Sequence, residues 1–127
     1  MKAVINATTE TFEHDVIESG LPTVVDFWAP WCAPCRAVAP VLEDLAKQWE
    51  GRVQVVKVNV DEEPALADAF KIRSIPTLVA MRGRSVVDVQ LGAGSAAHIE
   101  RLFEAAEAAE VVDEEEVSTE SEDRVAS

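Results

Sequence analysis

The sequence predicts one α/β domain, a central mixed five-stranded β-sheet flanked by four helices. Three observations lead there. The chain has 127 residues, enough for one domain with a real core and too few for two ordinary ones. From Val4 to Phe70, β-branched runs alternate with segments whose apolar residues recur at helical spacing, in the order β, α, β, α, β, α. Two further strand-like runs then follow with only Arg82-Gly83-Arg84 between them. So short a link joins antiparallel neighbours, and the sheet is therefore mixed.

In chain order, Val4 and Ile5 make a short first strand. Thr8 to Ser19 reads as a helix with Phe12 and Val16 one turn apart, stopped by Gly20-Leu21-Pro22. Thr23 to Ala29 is β-branched and aromatic, apolar on both faces except at Asp26, which is the pattern of a buried central strand. After Trp31 the period changes. Val38, Leu42, Leu45, Ala46 and Trp49 recur at helical spacing until Gly51, and Cys32 and Cys35 open that helix. Pro40 inside it removes the bond to the carbonyl of Arg36 and predicts a bend.

Val53 to Val60 is a second buried strand. The helix expected from Glu62 to Phe70 begins with acids, which the helix dipole favours there. Thr77 to Met81 and Ser85 to Leu91 form the hairpin. Gly92-Ala93-Gly94 turns the chain, Ser95 is placed to cap, and Ile99, Leu102, Phe103 and Ala106 form an apolar stripe that should cover one sheet face. Beyond Glu110 the composition shifts to Glu, Asp, Ser and Val without periodicity. A domain over residues 1–110 and a flexible acidic tail over 111–127 are expected.

Charge and composition exclude several functions. Hydrophobic residues make up 48% and charged ones 28%, an ordinary globular mixture, with a net charge of -13 that repels nucleic acid. The first eight residues lack the apolar run of a secretory signal, and no span approaches membrane length. A cytoplasmic monomer is expected, with no membrane partner. In a reducing compartment two cysteines serve redox chemistry or metal binding more often than a permanent crosslink.

Cys32-Ala33-Pro34-Cys35 opens a helix, and that position sets the chemistry. Unpaired backbone N–H groups and the positive end of the dipole stabilise a thiolate at Cys32, making it the nucleophile. Cys35, almost one turn on, reaches Cys32 but should be shielded from a substrate, as a resolving thiol must be. Pro34 fits the first helical turn, where no N–H is missed. A closed zinc site would need four ligands, and the remaining soft candidates, His14 and His98, lie in unrelated helices. Redox work is the better reading, and no metal is expected. Asp26, flanked by Val24, Val25, Phe27 and Trp28, should be buried with a raised pKa.

The segment Val25-Asp26-Phe27-Trp28-Ala29-Pro30-Trp31-Cys32-Ala33-Pro34-Cys35-Arg36 closely resembles the active-site segment of thioredoxins. The resemblance continues through Pro40, Lys57, Ile75-Pro76-Thr77 and Gly92, in order and spacing, over about residues 3 to 109. It implies the thioredoxin fold and a protein-disulfide reductase that carries electrons by dithiol–disulfide exchange. The implied partners are a thioredoxin reductase and disulfide-containing proteins. No cofactor is expected, because no glycine-rich nucleotide loop occurs.

The resemblance also implies residue roles. Asp26 assists proton transfer from Cys35, and Lys57 stands near that carboxylate, although residue type alone would equally fit a solvated strand lysine. Pro76, which its sequence context alone would leave trans, is implied to be cis beside the cysteine pair, with the backbone of Ile75 open to substrate. Trp31 joins the contact surface, while Trp28 serves the core. Gly92 and Ala93 form a small-residue loop that lets a partner's backbone approach, though plain turn residues would read the same. The chain departs from the family at Ala33, where Gly is most common, and more mildly at Pro30 and Ser74. Ala33 leaves the reduction potential and the choice of partner open. An oxidase or isomerase is the alternative within redox chemistry, against which the missing signal speaks, and a non-catalytic binding module is the other, against which the intact Asp26, Trp31, Pro34 and Pro76 speak.

Overall fold

A computed structural model describes residues 4–110. The acidic segment from residue 111 lies outside the described residues, and with it the expectation of a flexible tail. The five strands are β1 (Val4–Asn6), β2 (Thr23–Trp28), β3 (Gln54–Asn59), β4 (Thr77–Arg82) and β5 (Ser85–Leu91), in the spatial order β1-β3-β2-β4-β5. β1 and β2 run parallel to β3, while β4 runs antiparallel to both β2 and β5. The mixed sheet predicted from the hairpin is the one observed, and the buried β2 lies at its centre.

Alternation along the strands divides the core between two faces. Val24, Val55, Leu78 and Ala80 face helices α1 (Ala33–Gln48) and α3 (Ala96–Ala108), whose stripes include Val38, Leu42, Ile99 and Phe103. Val25, Phe27, Val56, Val79 and Met81 pack on the opposite face with Phe12, Val16 and Leu66. Those last three come from the first helical segment and from α2 (Pro64–Ala69). Among the described residues, no helix is long and apolar enough to cross a membrane.

Several local expectations are corrected. The helix expected over residues 8–19 is a turn followed by a five-residue π-helix, Glu13–Ile17, closed by the N–H of Glu18 donating to the carbonyl of Glu13. The Thr8 and Thr11 hydroxyls each accept from the other's backbone N–H (3.2 and 2.9 Å), a local arrangement that competes with regular helix. α2 starts at Pro64 rather than Glu62. Proline is preset for a first helical position, so the acids precede the helix and none lies in its first turn. The hairpin link is two residues, Gly83 and Arg84, because Arg82 still pairs with Ser85. α1 continues through Pro40, and Ser95 caps α3 by accepting from the N–H of His98 at 3.2 Å.

Candidate active site

The site is assembled where β2 gives way to α1. The N–H of Cys32 donates to the carbonyl of Ala29 at 3.1 Å, and its own carbonyl accepts from Arg36 at 3.1 Å, so the turn passes directly into helix. Cys32 is the N-cap, with extended backbone (φ -89, ψ 109), and Pro34 lies in the first turn. The N–H of Cys35 donates to Sγ of Cys32 at 3.2 Å. A sulfur thus takes the position that a serine or aspartate oxygen usually holds at a helix start. An orphan amide and the helix dipole both favour negative charge there.

Cys32 and Cys35 are joined as a disulfide, with their Cα atoms 5.2 Å apart. Both are buried in this oxidised form, at 4% and 3% exposure. Sγ of Cys32 lies 3.8 Å from the carbonyl oxygen of Ile75.

Asp26 is fully buried, and neither carboxyl oxygen has a hydrogen-bond partner among the described residues. Strand alternation puts it on the same face as Val24, under α1. Loss of hydration pushes its pKa up to about 6, against the opposing pull of the Lys57 charge. Lys57 is its register partner on β3. Its Nζ lies 4.3 Å from the centroid of the Trp28 ring, a cation–π contact that holds the ammonium within the sheet's edge of the core. Lys57 is half-buried, and neither Asp26 oxygen accepts a hydrogen bond from it.

Two loops approach the cysteine turn. The Ile75-Pro76 bond is cis, as the family resemblance implied and the residues alone did not. Pro76 is buried, and its carbonyl accepts from the N–H of Gly92 at 2.9 Å, tying the second loop to the first. Gly92 (φ 85) and Gly94 (φ 66) adopt left-handed backbone that other residues rarely take. The side-chain amide of Gln90 donates to the carbonyl of Ala93 at 3.0 Å. Trp31 is 66% exposed, and its indole N–H donates to Asp61 Oδ2 at 2.7 Å. Ala33 and Pro34 are exposed beside it. A groove runs from Trp31 past Val60 and Ala67 to the segment Ile72–Ile75.

Four residues that support this geometry escaped sequence reasoning. Asp61 anchors the Trp31 indole. Asn59 accepts from the backbone N–H of Asp61 and of Glu62 (2.9 and 3.3 Å) and so fixes the turn that presents Asp61. Asn-Val-Asp directly after an apolar strand is an Asx-turn signal that could have been read. Arg36 donates to the carbonyl of Pro30 at 2.7 Å, and Gln90 holds Ala93; for these two, sequence offers no local signal.

Chemically, the arrangement offers a sulfur pair that interconverts between dithiol and disulfide, an amide aimed at one sulfur, and a poorly solvated carboxyl under the same helix. The family model named Thioredoxin matches residues 3–105. Thioredoxin 1 of Nostoc sp. is 52% identical over 93 residues, covering 73% of this chain and 87% of that protein. The thioredoxin of Synechocystis sp. is 50% identical over the same shares, and that of Haemophilus influenzae is 45% identical, again over 73% and 87%. Matched in sequence across the domain and carrying a Cys-x-x-Cys disulfide at the head of α1, this chain belongs to the thioredoxin family and is a thiol–disulfide oxidoreductase.

Proposed function

We propose that the chain works in the reducing direction, as an electron carrier from a thioredoxin reductase to disulfide-containing proteins of the cytoplasm. The observation that carries the reading is the N–H of Cys35 at 3.2 Å from Sγ of Cys32, at the N-terminus of α1. That contact stabilises Cys32 as a thiolate in the reduced form. The thiolate attacks one sulfur of a target disulfide, the target S–S bond breaks, and the departing sulfur takes a proton. Cys35 then gives up its proton, with Asp26 as acceptor, and attacks Sγ of Cys32. The mixed disulfide breaks, and the second target sulfur leaves as a thiolate that takes up a proton from Asp26 or solvent.

The target has gained two electrons and two protons, and the Cys32–Cys35 disulfide seen here is the product state. The reductase returns it to the dithiol. A carboxyl with pKa about 6 suits proton transfer near neutral pH, and Lys57 positions its charge close to that carboxyl. Trp31, Ala33, Pro34, Ile75, Pro76, Gly92 and Ala93 surround the sulfurs as the docking surface for substrate. The domain over residues 1–110 suffices for the reaction, and the acidic segment that follows serves as a solvating extension.

Insulin disulfide reduction, coupled to NADPH and a thioredoxin reductase, tests the reading. Full activity is expected for a chain ended at Glu110 and none for Cys32→Ser. Retention of activity by Cys32→Ser would overturn the mechanism. Equilibration with glutathione tests direction. A potential near the ~-270 mV of a thioredoxin is expected, and one near the ~-120 mV of a strong oxidant would make the protein an oxidase.

A further inference from the structure

Among the described residues, the exposed large apolar side chains are Trp31 and four residues of β5: Val86 (50%), Val87 (37%), Val89 (48%) and Leu91 (73%). Trp31 belongs to the site already described. The β5 set has no such account, and a contiguous apolar patch on an edge strand marks a surface meant to be covered.

Val86, Val89 and Leu91 form one wall of a second groove, and the segment after α2 forms the other. The two grooves share Ile72, Arg73 and Ser74, so the second continues the first away from the cysteines. Its rim is cationic. Lys71 and Arg73 are exposed, and their side chains make no ion pair or hydrogen bond among the described residues. Lys71 stands in left-handed backbone (φ 56) where α2 ends, its N–H tied to the carbonyl of Asp68 at 2.9 Å. In a chain of net charge -13, two unpaired cations beside an apolar wall select the charge of what docks there.

We propose that this second groove extends the docking surface and takes an extended segment of the target protein that combines apolar and acidic residues. The proposal rests on the docking role given above to Trp31 and Ile75. The apolar side chains would seat against Val89 and Leu91, and the acids would lie beside Lys71 and Arg73. A second copy of this chain fits less well. Two such chains repel by net charge, and strand addition needs the free amides of β5, of which that of Val89 already donates to Asp88 Oδ1 at 2.9 Å.

The test uses the full chain and two disulfide-containing peptides, identical except that one carries a Leu-Glu-Leu-Glu flank and the other Leu-Lys-Leu-Lys. The acidic peptide should be reduced with kcat/KM about fivefold to tenfold higher, through KM. Lys71→Glu should abolish that preference, and Val89→Ser with Leu91→Ser should raise KM for the acidic peptide. Equal rates in the wild type, or a preference unchanged by these substitutions, would overturn the proposal.

A preference appearing only in a chain ended at Glu110 would overturn it in favour of residues 111–127 as the occupant. A concentration-dependent dimer lost on Leu91→Ser would overturn it in favour of a second copy. Failure of the wild type to reduce either peptide would instead sink the reductase reading itself.

Discussion

β2 and β5 both pair antiparallel with β4, yet β2 carries a carboxyl at 0% exposure while β5 leaves Leu91 73% exposed. At the centre of the sheet, a buried carboxyl has no hydrogen-bond partner among the described residues. At the edge, apolar groups lie in water. Each strand departs from the ordinary distribution in the opposite sense, and each cost is of the kind that folding alone would not select. The central departure concerns a proton and the peripheral one a contact surface. Chemistry needs exclusion of water, and docking needs exposed apolar area.

The largest effect is expected from removing the central departure. With a folded-state pKa of about 6 against an ordinary 3.8, Asp26 is neutral in both states well below pH 4 and carries no ionisation penalty there, only the cost of burying a neutral carboxyl. Between about pH 4 and 6 the unfolded chain loses its proton while the folded one keeps it, so stability falls as pH rises. Above pH 6 the full penalty, about 3 kcal/mol, applies. The stabilisation of the oxidised protein by Asp26→Leu should therefore be larger at pH 7.5 than at pH 3.5 by roughly that amount, as read by urea unfolding. Insulin reduction by the same variant should fall about tenfold to a hundredfold at neutral pH. Equal stabilisation at both pH values would mean that the gain comes from packing, and the contrast between the strands would lose its electrostatic half.

How far these two strands could be read from sequence differs for a physical reason. β2 announced itself through β-branched and aromatic residues on both sides of Asp26, and apolar flanks of that kind favour burial of the lone carboxyl over a solvated edge position. The simple alternation of β5 points to Val87, Val89 and Leu91 sharing a face, but a bulge opposite Ala80 and Met81 brings Val86 in line with Val89 and Leu91 instead. Neither the bulge nor the face's exposure is legible in the residues. Cover is a tertiary matter, decided by the segment after α2. The same limit applies within the site. Thr8 and Thr11 replace regular helix by hydroxyl bonds that composition does not reveal. Residues alone left Pro76 trans, and the cis form came only with the family resemblance. The approach of Cys32 Sγ to the carbonyl of Ile75 spans 43 residues of sequence. Motif spacing located the chemistry, whereas contacts between distant loops were beyond it.

An intermediate effect is expected on the other face of β5, where Gln90 holds the carbonyl of Ala93. A Cβ on Gly94 would stand 2.1 Å from Nε2 of Gln90 and would occupy left-handed backbone at φ 66. Gly94→Ala should cost about 2 kcal/mol, combining the backbone strain with loss of the amide bond to Ala93. Thermal unfolding measures that cost. KM for insulin should rise, because the Gly92–Ala93 loop loses its tie, while the glutathione-equilibrated potential stays within a few millivolts. A shifted potential would mean that the loop acts on the sulfurs themselves, and that β5 shares in the chemistry assigned to β2.

The smallest change in stability is expected at the exposed wall, and its smallness is what sharpens the contrast. Val89→Ser and Leu91→Ser remove apolar groups that are 48% and 73% exposed, so folding recovers little area from them. Each should alter the unfolding free energy by less than about 0.5 kcal/mol, the ordinary range for surface positions away from caps and ion pairs. The same truncation at Val25 or Val79, buried on the same face of the sheet, should cost several times more. If Leu91→Ser instead lost 2 kcal/mol or more, the patch would already be covered in the free protein. β5 would then be an ordinary core strand, and Asp26 on β2 would stand alone as the departure that function requires.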